Sequence, residues 1–214
     1  MNLVHITKSI LIVSIVAGIL NLSRFVMTGF ESYLWLNWNL FLALVPIAFA
    51  YLATRASSKI TAFAMLILWL LFLPNAPYLI TDFIHLAHTG PRSFLWYDGL
   101  MVFTYSLVGV AAWIVSVRTL VRHFSWKRWS VVFVALLSGF GVYLGRYVRL
   151  NSWDLIGKPA DLVTTVGDII LYPRAYDPAL AMTIAFTVVL STLYFVSQRF
   201  GSTENHHETK KATK

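Results

Sequence analysis

Long apolar runs separated by short polar links fill this chain from residue 8 to residue 197. A run of about 18 or more apolar residues can cross about 30 Å of hydrocarbon. Six segments follow or approach that pattern, at 8–27, 36–53, 60–73, 98–117, 129–150 and 179–197. Each is expected to be helical, because a segment inside a bilayer must satisfy its backbone polar groups internally, and the alternating pattern of a membrane β-strand is missing. The fold class is therefore all-α: a polytopic membrane protein of six transmembrane helices, with short interfacial helices in the outer loops. The third run is the shortest, and Pro74 and Pro77 should stop its helix near the outer boundary. Residues 1–200 read as one transmembrane domain. The polar tail at 201–214 has little to bury and is expected to be disordered. The first run, with Lys8 ahead of its apolar core, continues through Asn21 and Arg24 without a clear cleavage site and reads as a retained anchor.

Composition agrees with the pattern: 58% hydrophobic residues, 12% charged and a mean hydropathy of +0.69 leave no soluble reading. Charge then gives an orientation. Arg55, Lys59, Arg118, Arg122, Lys127, Arg128, Arg199, Lys210, Lys211 and Lys214, with Lys8, gather on one side of the six spans. The positive-inside rule makes that side cytoplasmic, with both termini inside and the spans in the cytoplasmic (inner) membrane. Seven of the nine acids fall on the other side, namely Glu31, Asp82, Asp98, Asp154, Asp161, Asp168 and Asp177. Acids do not set topology, so this asymmetry points to a working outer face. The net charge of +8 is then mostly a topological signal and an attraction to anionic headgroups, and no nucleic-acid partner is expected. The absence of cysteine excludes disulfides, thiolate catalysis and cysteine metal sites.

Two outer regions carry candidate chemistry. In the loop at 74–97, Leu79, Phe83, Ile84 and Ala87 fall on one helical face, while Asp82, His85 and Thr89 fall on the other. This predicts a short amphipathic helix at the interface. Asp82 and His85, at i and i+3, either form an acid–base pair or make up a solvated polar face. Asp82, His85, His88 and Asp98 do not have the spacing of a zinc site, so no metal and no cofactor are expected. In the fifth span, Ser138, Gly141, Gly145, Arg149 and Ser152 lie near one helical line, so a partner helix should approach the glycines and Arg149 should face protein. With Arg146 it would form a fork-rich anion site, unless the arginines pair with Asp82, Asp98 or Asp154 or snorkel to headgroups. Arg24 should snorkel or pair with Glu31. The tryptophans near span ends read as an aromatic belt, and 160–171 reads as a second interfacial helix.

Three strings, Leu-Pro-Asn-Ala-Pro-Tyr-Leu-Ile-Thr-Asp-Phe-Ile-His-Leu at 73–86, Trp-Tyr-Asp at 96–98 and Gly-Arg-Tyr-Val-Arg-Leu-Asn-Ser-Trp-Asp at 145–154, carry a resemblance. In that order they resemble a family of small bacterial multi-pass membrane proteins of unknown function, over most of the chain. The resemblance implies one constellation of Asn75, Asp82, His85, Asp98, Arg146, Arg149, Asn151 and Asp154. The expected site is an outward basin with Asp82, His85 and Asp98 as candidate catalytic groups and Asn75, Arg146, Arg149, Asn151 and Asp154 as ligand-binding groups. Three functions fit: binding an anionic lipid or metabolite, with a membrane-protein partner in envelope assembly; transfer or hydrolysis on a lipid-linked phosphate or carboxylate; and transport of a small solute. Transport is weakened by the lack of ionisable residues near mid-membrane.

Overall fold

The computed structural model describes residues 3–87, 92–150, 152, 157, 159–172 and 177–212, and among them every regular element is helical. In chain order these are α1 (Leu3–Thr28), α2 (Leu36–Arg55), α3 (Lys59–Phe72) and the single turn α4 (Asn75–Tyr78). A 3-10 run (Leu79–Ala87) and a 3-10 turn (Arg92–Phe94) lead into α5 (Leu95–His123). Then come α6 (Arg128–Tyr143), a π-helical turn (Leu144–Val148), α7 (Pro159–Leu171) and α8 (Asp177–Ala212). Six stretches are long and apolar enough to cross a membrane: Ile6–Thr28, Leu36–Arg55, Lys59–Leu86, Leu95–His123, Arg128–Val148 and Pro178–Arg199. The protein is a multi-pass membrane protein. Helix α8 runs on through Ala212, into the polar tail; extending an existing helix needs no new nucleus.

Helix α5 is the axis of the bundle. It packs against α1, α2, α4 and the 3-10 run, and it is the most buried of the six stretches. The small residues Ser106, Gly109, Ala112 and Ser116 recur along its buried side and let neighbouring backbone approach. At Gly109 the approach is closest, and a Cβ there would run into the carbonyl oxygen of Ala76. A Gly109→Ala variant is therefore expected to lose about 1–3 kcal/mol, the usual range for overpacking against backbone that cannot yield, read as a lower Tm in detergent. On the far side, α8 packs along α6, where Gly139 faces the Thr183 carbonyl and the Phe186 side chain.

Helix α3 ends at Phe72, just before Pro74, as the prolines predict. The apolar path nevertheless resumes, and α3, α4 and the 3-10 run together continue it to Leu86. Proline at the start of a new turn removes an N–H that would have no intrahelical partner anyway. The carbonyls around the break find side-chain donors instead. Asn75 Nδ2 donates to the Phe72 carbonyl (2.9 Å), Ser152 Oγ to Leu71 (3.1 Å), Thr81 Oγ1 to Tyr78 (2.6 Å) and Ser106 Oγ to Leu79 (3.1 Å). An interrupted helix inside a membrane survives only when its freed backbone groups are met in this way.

Candidate functional site

The 3-10 run sets the first part of the site. Three residues per turn stack positions i and i+3, so Asp82 and His85 share one side. That side faces the bundle rather than water: Asp82 is 0% exposed, while Phe83 and Ile84 on the other side are open. Of the two alternatives for this face, the solvated one does not hold: the polar side packs inward and the apolar side is the exposed one, as suits a segment long and apolar enough to lie in a membrane.

Arg146 reaches this buried face from the π-helical turn. Its guanidinium pairs with Asp82, donates from Nε to Thr81 Oγ1 (2.8 Å) and meets His85 Nε2 at 3.1 Å. Arginine has only donors, so Nε2 accepts and the ring proton of a neutral His85 sits on Nδ1. The guanidinium also lies 4.4 Å from the centre of the Tyr78 ring, a cation–π contact. Asn39 Nδ2 supplies a second donor to Asp82 (3.5 Å), and the edge of Trp35 packs against the His85 ring.

The glycine line of α6 receives this corner, not the straight partner helix expected. Gly141 lies under the Pro74 ring, where a side chain would collide, and Gly145 lies close under the Tyr78 ring, where a Cβ would be tight. Ser138, farther along the line, accepts from Trp113 Nε1 (2.9 Å). The line ends early because the π turn takes an extra residue. Arg149 then adopts a left-handed conformation (φ 61°), and its N–H and that of Leu150 both close on the Leu144 carbonyl. Arg149 is exposed and does not point into the protein as expected, so Arg146 and Arg149 diverge.

Asp98 does not join the Asp82 cluster either. It is 1% exposed and held bidentately by Arg24, with Nε to Oδ1 at 2.8 Å and Nη2 to Oδ2 at 3.1 Å. Arg24 neither snorkels nor pairs with Glu31. It is 1% exposed, stacks over Tyr33 (4.7 Å) and ties α1 to α5. Nearby, Asn21 donates to the Tyr33 carbonyl and the Tyr105 hydroxyl to Asn37 Oδ1. Asn75 does sit at the corner, bonded to Ser152 (2.9 Å). Asn151, Asp154 and His88 lie outside the described residues. Among those described, no three His, Asp or Glu side chains come together as metal ligands.

Beside the Asp82–Arg146 cluster lies a cavity of about 420 Å³. Its walls are apolar, from Leu42 of α2, Ile67 and Leu70 of α3, and Leu137 and Phe140 of α6. Its end is polar, formed by Asn39, Asn75, Tyr78 and Ser152. Because α3 and α6 share no packed interface, the cavity is a groove between them, and the exposure of Ile67 and Leu70 opens its wall to the surroundings. Residues 38–193 match the family described as "Protein of unknown function (DUF1361)". The chain belongs to that family. The matched stretch takes in the groove, the Asp82–Arg146 cluster and Asp98, whereas Arg24 lies ahead of it. No curated protein and no solved structure matches the chain.

The sequence reading had missed Arg24, Asn39, Tyr78, Thr81 and Ser152 as partners. The signal for Asn39 was present: Asn37 and Asn39 interrupt the apolar start of the second span, and polar groups at that depth need partners.

Proposed function

We propose that this protein binds an anionic membrane lipid in the groove between α3 and α6, with the acyl chain along its apolar walls and the headgroup at its polar end. The observation that carries this reading is the gradation of the groove itself, from Leu137 and Ile67 to Asn75 and Ser152, with Arg146 against the lining residue Tyr78 and Arg149 next in the chain to the lining residue Leu150. Ligand sites of this kind are mostly apolar with a few fixed polar groups. Arg149, exposed and without an ion-pair partner among the described residues, supplies the headgroup contact, and Arg146 holds Tyr78 in place. The basic end of the bundle faces the cytoplasm and the groove end faces outward, in the cytoplasmic membrane, where such a protein serves envelope assembly through a membrane-protein partner.

Binding is favoured over catalysis by the state of the acids. Asp82 and Asp98 are both held by guanidiniums, and His85 Nε2 is taken up by Arg146. None of the three is poised to remove a proton from a substrate.

An Arg149→Gly change separates the role from stability. Glycine adopts φ 61° without the cost borne by a side chain, so the variant is expected to be at least as stable as the parent. Anionic lipid extracted from the purified variant is expected to fall, and a Leu70→Trp change, which fills the groove, should have the same effect. Unchanged lipid content in both folded variants would reject the groove as the site.

A further inference from the structure

A second cavity, of about 400 Å³, lies at the other end of the bundle, where α5 ends and α6 begins beside α8. Its lining brings together Arg122 of α5, Arg128 of α6 and Arg199 of α8, with Tyr194, Gln198 and Trp126. Arg118, one turn before Arg122, was expected in the polar link but is buried on α5. It is 3% exposed, and its Nε has no hydrogen-bond partner among the described residues.

Like charges one helical turn apart repel, and a buried guanidinium without a counter-charge is costly in a membrane. Among the described residues no carboxylate lines this cavity, and the ion pairs of Asp82 and Asp98 lie at the opposite end. The Arg128 guanidinium is held 4.8 Å from the centre of the Phe195 ring, which fixes it while leaving its N–H edge for an acceptor. Trp126 and Trp129 flank the helix ends, where headgroups lie.

We propose that this cavity is a phosphate-binding site for the headgroup of an anionic phospholipid in the adjacent leaflet. Arg122 and Arg128 contact the phosphate, and Arg118 is the buried charge behind them. Basic pockets between transmembrane helices recognise such headgroups through this chemistry. The site is separate from the groove at the other end and does not depend on it.

Calorimetric titration of the full chain in nonionic detergent tests the proposal, with dihexanoyl phosphatidylglycerol, dihexanoyl phosphatidylcholine and inorganic phosphate as probes. An Arg149→Gly background keeps the outer groove from contributing. The glycerol lipid is expected to bind more tightly than the choline lipid. An Arg122→Gln, Arg128→Gln double change should weaken it about tenfold or more, the scale set by two basic residues at an anionic lipid surface. Both arginines are exposed, so this variant keeps the fold. An Arg55→Gln, Lys59→Gln control, which removes as much charge from the same end, should leave binding unchanged. Inorganic phosphate binding as tightly as the lipid would overturn the lipid assignment in favour of free phosphate. Equal binding by parent and double variant, or equal loss in the control, would overturn the site.

Discussion

Replacing Arg24 by alanine is expected to be among the most damaging single changes in this protein, at about 3–5 kcal/mol. Both members of the Arg24–Asp98 pair are 1% exposed, and the two bonds between them are the main solvation each charge has. Removing the guanidinium strands the Asp98 carboxylate inside the bundle, whereas Asp98→Asn leaves Arg24 some support. Its Nη1 still has Thr28 Oγ1 at 3.5 Å and the Phe30 carbonyl at 3.4 Å, and its face still covers Tyr33. The Asn variant should therefore lose less than the Ala variant. A joint Arg24→Met, Asp98→Leu change should recover most of the loss, since a buried ion pair can be replaced by apolar packing at little net cost. Reversible unfolding in detergent measures all three, and a double variant no more stable than Arg24→Ala would argue against a coupled pair.

Arg146→Ala should cost about as much, ~3–5 kcal/mol, for the same reason: Asp82 is fully buried and, among the described residues, would keep only the long contact from Asn39. It also removes the cation that lies over Tyr78 and the donor to Thr81, so the polar end of the groove should loosen and bound lipid should fall with stability. Arg149→Gly, by contrast, should lower lipid without lowering stability. That split distinguishes the residue that shapes the site from the one that meets the ligand. The two ion pairs share no partner, so the losses from Arg24→Ala and Arg146→Ala should add to within about 0.5 kcal/mol in comparable unfolding measurements.

Much of the scaffold was legible because a bilayer imposes a length and a polarity rule that local sequence obeys. The apolar runs, the basic links and the i, i+3 spacing of Asp82 and His85 are all short-range features. What joins them is not. Asp98 meets Arg24 and Asp82 meets Arg146 across long stretches of chain, so Asp82 and Asp98, expected in one basin, stand in two separate buried pairs. The π turn at Leu144–Val148 has no composition of its own, and one extra residue was enough to turn Arg149 outward while Arg146 turned in. The glycines at 141 and 145 did mark a close approach, but pattern alone does not say that a proline corner occupies it. Arg118 was assigned to a polar link because it is charged, whereas the helix that carries it runs on to His123.

The groove as a lipid site is tested most directly by a native mass spectrum of the detergent-purified parent protein beside the Arg149→Gly and Leu70→Trp variants. Both folded variants are expected to carry fewer bound anionic lipids than the parent, the difference being the lipid of the groove. A lipid-free parent, or the same number of bound lipids in parent and both variants, would contradict it.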